Sequence, residues 1–139
     1  FAMNKKLFGA AVLLGTAAIV LSAACGRTYP AKNTEDIIAF LTECGVSTVG
    51  DGSRRTVTIP AEFGAVYEKY NELQKQQGFD LTGYRSREAE VYTFPAVSVN
   101  GVHNDNTEAH VMVCDGIVIG GDIASPAIGG EMKPLIPVN

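Results

Sequence analysis

Histidine is almost missing from this chain: His103 and His110 are the two in 139 residues, and cysteine is confined to Cys25, Cys44 and Cys114. Zinc sites draw three or four such ligands to one point, usually at helical or knuckle spacing, so no metal centre and no other cofactor is expected. No run of Lys or Arg is present either. The chain counts 11 basic residues against 15 acidic ones. An acidic domain without a basic patch has no electrostatic footprint for phosphate backbones, which excludes nucleic acid as the expected partner. Gly120-Gly121-Asp122 lacks the lysine and the following helix of a phosphate-binding loop. No internal repeat or second domain is visible, and a single domain is expected from the length.

What is abundant is apolar sequence at the front. Met3-Asn4-Lys5-Lys6 precedes Leu7–Ala24, where only Gly9, Gly15, Thr16 and Ser22 interrupt Leu, Ile, Val, Ala and Phe. A charged start, an apolar stretch and small residues at its end have the form of a secretory signal. Ser22-Ala23-Ala24-Cys25-Gly26 looks like a lipobox, in which the Cys25 thiol receives a diacylglycerol and becomes the new N-terminus. Leu21 stands four residues before that cysteine, where three is usual. Ser-Ala-Ala also suits ordinary signal peptidase, which gives a secreted product, and a retained membrane helix is the third alternative. The expected address is extracytoplasmic, with the membrane as partner through a lipid on Cys25.

With Lys5 and Lys6 assigned to the leader, nine of the 11 basic residues face all 15 acidic ones in the remainder, a net −6. If Cys25 is lipidated, Cys44 and Cys114 remain as an even pair in an oxidising compartment. A disulfide between them would close a loop of about 70 residues, worth roughly 4 kcal/mol in chain entropy. Two separate buried thiols are the alternative.

The expected organisation is a leader over 1–25, a tether over 26–32 and one α+β domain over 33–139. Asn33 or Thr34 caps a helix over Glu35–Cys44, with Ile37, Ile38, Phe40, Leu41 and Cys44 on one face and Gly45 at its end. Val46–Val49 and Arg54–Ile59 flank Gly50-Asp51-Gly52-Ser53 and read as a hairpin. Pro60 opens a second helix running to about Gln77, striped by Phe63, Val66, Tyr67, Tyr70 and Leu73. Ala89–Asn100 is a strand in which Pro95 predicts an edge or a bulge. Gly101–Thr107 reads as a loop. Asp115-Gly116 then joins Ala109–Cys114 to Ile117–Ile123 in a tight hairpin. The tail, Ala124–Asn139, is expected to be mostly irregular. Two helices packed on one face of a mostly antiparallel sheet satisfy this order.

Three stretches, Tyr67-Glu-Lys-Tyr-Asn-Glu-Leu-Gln74, Gln77-Gly-Phe-Asp-Leu81 with Tyr84, and Asp115-Gly-Ile-Val-Ile-Gly-Gly-Asp122 with Ser125, together resemble the family called domain of unknown function 4830. That family occurs in lipoproteins of clostridia-like Gram-positive bacteria. The likeness covers roughly Thr34–Glu131. It implies export and architecture and assigns no activity.

Chemistry-bearing residues are few. His103, His110, Asp105 and Asp122 form the one metal or acid–base set, with surface polarity as the competing explanation. Asn104-Asp105-Asn106 lacks the alternate spacing and terminal Glu of a calcium loop, and reads as a turn. His110 and Cys114 share a strand face about 13 Å apart, too far for a nucleophile and its base. Gly120-Gly121 inside a strand marks a bulge or a close backbone approach. Tyr67, Tyr70, Tyr84 and Tyr92 could line a ligand surface, since tyrosine joins an apolar face to a polar tip; half-buried packing is the alternative. Two functions follow as expectations: a non-catalytic, lipid-anchored binding or accessory domain with no catalytic residues, or a small extracytoplasmic hydrolase built on the His/Asp set.

Overall fold

The computed structural model describes residues 27–125 and 130–137. The leader and the lipidation site Cys25 lie outside the described residues. Helix α1 covers Thr34–Glu43; Asn33 caps it, accepting from the Asp36 N–H at 2.8 Å. Asp36 in turn accepts from the Lys32 N–H at 2.9 Å, so two orphan donors at the helix entry are satisfied. Gly45, at φ +85°, ends the helix in the left-handed region.

Six strands follow in one sheet: β1 Val46–Thr48, β2 Ser53–Thr58, β3 Glu88–Val99, β4 Val102–Cys114, β5 Ile117–Ala124 and β6 Met132–Lys133. Their order is β1-β3-β4-β5-β6, with β2 also on β3, and every pairing is antiparallel. Helix α2, Ala65–Gln76, lies between β2 and β3 in sequence, and a short 3-10 helix over Leu81–Tyr84 follows it. The fold is α+β, with two helices against a mostly antiparallel sheet.

Strand alternation divides the core in two. Tyr92, Phe94 and Ala96 of β3 join Ala109, Val111 and Val113 of β4 under Ile37, Phe40 and Leu41 of α1. Ala89 and Val91 join Met112, Cys114 and Ile119 beneath Tyr67 and Tyr70 of α2. Successive strand residues point to opposite faces, so the helices cover opposite faces rather than one. Each large side chain buried this way contributes about 1.5–3 kcal/mol.

Four local expectations are corrected. Strands β1 and β2 form no hairpin with each other: Val46–Thr48 pairs with the Ala96–Val99 end of β3, and Ser53–Thr58 with its Glu88–Thr93 end. The two lie end to end, and the break falls opposite Phe94 and Pro95. The Pro95 carbonyl accepts from the Val49 N–H at 3.3 Å, so the missing Pro95 donor falls on this interrupted side. Gly52 is required there: at φ +72°, a Cβ would stand 2.7 Å from the Thr93 carbonyl oxygen. The expected loop over Gly101–Thr107 is not one: Asn100-Gly101, with φ of +51° and +80°, makes a two-residue turn, and Val102–Thr107 is the start of β4. Helix α2 begins at Ala65, since Ile59 is held extended by Arg87 and Ser86 through backbone hydrogen bonds of 2.9 and 2.8 Å. The tail contributes β6 and the buried Leu135.

The apolar stripe assigned to α2 is also displaced. Val66 is 85% exposed, whereas Asn71 and Gln74 are 2% and 0% exposed. Asn71 binds Asp80 and the Leu81 N–H, while Gln74 and Gln77 replace a neighbouring strand. Gln74 Oε1 accepts from the Gly121 N–H at 2.8 Å, and Gln77 Nε2 donates to the Gly121 carbonyl at 3.0 Å. Gln77 Oε1 accepts from the Leu135 and Ile136 N–H groups at 2.7 and 3.0 Å. An amide side chain carries both donor and acceptor, so it can stand in for a strand backbone.

Candidate functional site

One bulge builds the site. The Asp115-Gly116 turn, at φ +52° and +76°, sets Cys114 against Ile117 and Val113 against Val118. Continued unbroken, that register would place Gly121 opposite His110 and turn Asp122 towards α1. The register shifts instead between Met112 and Val113, leaving Ile119 as the extra residue. Beyond it, Asp122 pairs with His110 and both face α2. A one-residue slip moves every following side chain to the other face. The glycines expected to mark a bulge stand at it. A Cβ on Gly120 would lie 2.8 Å from Gln74 Oε1, and one on Gly121 would lie 2.5 Å from the His110 carbonyl oxygen.

Asp122 is 3% exposed, and it is paired. Its Oδ1 accepts from the Tyr70 hydroxyl at 3.0 Å, and its Oδ2 lies 2.9 Å from His110 Nδ1. The other ring nitrogen, Nε2, stands 3.3 Å from Glu108 Oε1. Both nitrogens thus face carboxylate oxygens, which only the doubly protonated ring satisfies. The hydrogen bond to Asp122 raises the His110 pKa above its ordinary 6.5; burial opposes this, and the charges of Asp122 and Glu108 add to it. Burial, and then the Asp122 charge, push the Tyr70 phenol well above its usual range, so it stays a donor.

This network borders a cleft of about 380 Å³ between α2 and the sheet. Val57, Val91 and Met112 line it from the sheet, Val66, Tyr67 and Tyr70 from the helix, and Arg55 and Met132 from the outer strands. The Tyr67 and Tyr70 rings meet edge-on at 6.1 Å, and Phe63 packs on Tyr67 at 4.7 Å.

The other sequence candidates lie elsewhere. His103 Nε2 is 3.0 Å from Asp105 Oδ1, both exposed near the Asn100-Gly101 turn. His103 and His110 stand seven positions apart on β4, about 23 Å of strand. The His/Asp set is therefore two pairs, and among the described residues no group of three metal-binding side chains converges. Tyr92 faces α1 and lines a separate groove of about 510 Å³ with Arg54 and Glu90. Tyr84 packs beneath α2, outside the cleft lining, with the Arg87 guanidinium 5.6 Å from its ring centre. Cys44 and Cys114 form no disulfide. They are free buried thiols in the two different clusters, on opposite faces of the sheet. Burial pushes the Cys44 thiol up to about 11 from 9.0 and raises that of Cys114. Sequence reasoning missed Arg55, Met112 and Met132. Alternation along Ser53–Thr58 places Arg55 beside Val57, and was the one available signal.

The architecture defines a small α+β domain with a helix-walled cleft over one sheet face. The chain belongs to the DUF4830 family: the family profile, described as a domain of unknown function, matches residues 49–123. That range runs from the end of β1 to Ile123 in β5, and so contains every cleft residue except Met132. No curated protein and no solved structure matches the chain. Among the described residues, no helix is long and apolar enough to cross a membrane.

Proposed function

We propose that this protein is an extracytoplasmic, lipid-anchored binding or accessory domain, with the cleft beside α2 as its ligand site. The observation that carries the binding reading is the lining of that cleft, where two tyrosines, an arginine and an apolar floor share about 380 Å³. Ligand sites commonly combine an apolar lining with a few placed polar groups at such volumes. His110 Nδ1 is held by Asp122 and Nε2 faces Glu108, so both ring nitrogens are turned to carboxylates of the protein itself, which favours binding over hydrolysis. The address rests on Lys5-Lys6, the apolar run Leu7–Ala24 and the small residues before Cys25.

Two measurements test it. Intact mass of the protein from the membrane fraction should show cleavage before Cys25 and a diacylglyceryl group on that residue. Recovery from cytosol with Leu7–Ala24 attached refutes the address. For the site, methyl-labelled methionine offers probes at Met112 and Met132. Small molecules drawn from cell-envelope material should shift them saturably, and a screen that moves neither refutes the binding reading.

A further inference from the structure

Arg27 is paired with Glu43, Arg54 with Glu90 and Arg87 with Asp115, while Arg85 lies 4.8 Å over the Phe63 ring. Among the described arginines, Arg55 alone has no ion pair and no ring stacked on it; its electrostatic neighbour is the Tyr70 phenol, and it is the arginine that lines the cleft. The one carboxylate in the cleft lining leaves it uncompensated, because Asp122 is taken by His110 and Tyr70. The domain as a whole is acidic, and at this cleft it presents an unpaired guanidinium.

We infer that the ligand of the cleft is a small amphipathic carboxylate, its head held by the Arg55 guanidinium and its apolar body laid over Val57, Val91 and Met112. The inference rests on the cleft being the ligand site. A guanidinium offers paired donors that match a carboxylate. Register sets Arg55 beside Val91, which itself pairs with Met112, so head and body sites follow one row across the sheet. Tyr67 and Tyr70 wall the cleft on the helix side, and Val66 and Met132, 85% and 48% exposed, stand among its lining residues. A cationic head would meet Arg55 with like charge, and a neutral head would leave the guanidinium without its partner.

The test titrates the full chain, labelled at methionine methyls, with octanoate, octanol and octylammonium. In the unprocessed chain, Met112 and Met132 report the cleft, and Met3, in the leader, reports non-specific apolar uptake. Octanoate should shift Met112 and Met132 saturably, about tenfold or more tighter than octanol, with octylammonium weakest. Arg55→Gln should reduce octanoate to the affinity of octanol, and Arg55→Lys should restore part of it. Arg55 is exposed on an outer strand, so both variants should keep the wild-type melting temperature. Octanol binding as tightly as octanoate, or Arg55→Gln without effect, overturns the ligand class while the cleft survives as a site. Shifts at Met3 alone, or none with any probe, overturn the ligand class and the cleft reading together.

Discussion

His110 and Asp122 face each other at 2.9 Å because β5 carries one residue more than its tight turn requires. The pair, with Tyr70, ties α2 to β4 and β5. The Tyr70–Asp122 bond spans 52 residues of sequence.

Tyr70→Phe removes one of the two bonds to a carboxylate that is almost fully buried. A hydrogen bond to a charged group is worth about 1.5–3 kcal/mol, and the ring packing is kept. Denaturant unfolding should show a loss of about 2 kcal/mol with an unchanged m-value. A loss below about 0.5 kcal/mol would mean that Asp122 is solvated, contrary to its burial.

The raised His110 pKa gives a stability with a definite sign. A group whose folded pKa exceeds its unfolded value stabilises fully below the unfolded pKa, here 6.5. That contribution fades as pH rises through the folded pKa. Wild type should therefore exceed His110→Gln in stability by more at pH 5.5 than at pH 8.5, as read from melting temperatures across that range. Equal differences at both ends would contradict bracketing by Asp122 and Glu108.

The amide clamp on β5 makes a separate prediction. Gln77→Ala leaves the Gly121 carbonyl and the Leu135 and Ile136 N–H groups without their partner. The expected destabilisation is about 2–3 kcal/mol, with faster hydrogen exchange concentrated at Leu135 and Ile136. Exchange unchanged at those two amides would remove the clamp.

Gly121→Ala tests the close approach within the hairpin. The added methyl would overlap Leu135 Cδ1 and the His110 carbonyl. Overpacking of this kind costs about 1–3 kcal/mol. Gly83→Ala is the control, since nothing lies within 4 Å of that position and its φ is not positive. Equal melting temperatures for the two variants would show the hairpin free to adjust.

Both thiols should be found reduced. Without reductant, alkylation of the folded protein should be slow at Cys44 and Cys114, because the thiolate is the reactive form and burial disfavours it. After denaturation both should label, as peptide mapping will show. A Cys44–Cys114 disulfide peptide would contradict their placement on opposite faces.

Much of the fold was legible where local chemistry is decisive. Asn33, Asp36 and Gly45 marked the limits of α1, and Asp115-Gly116 marked the β4–β5 turn. The same logic would have found Asn100-Gly101, had the polar run after it not read as loop. The faces of the sheet were less legible, because they depend on how far each register runs. Phe94 and Val91 differ in parity, and nothing local says which helix covers which parity. The site was hidden by the same property. Gly120-Gly121 announced a bulge, yet the face on which Asp122 emerges depends on the residue at which the register slips. The buried face of α2 misled for another reason. Gln74 and Gln77 look like solvent residues by type, and only the open backbone of Gly121 explains their burial.

The clamp on β5 also gives the sheet a handed boundary. On that flank, the Tyr29–Ala31 segment, two glutamine side chains and β6 occupy successive backbone groups. A stray chain finds no template there. The opposite flank, where β2 presents Arg54 and Arg55, has no such cover among the described residues. A strand that lengthened this sheet along β2 would run beside Arg55 and the cleft it lines.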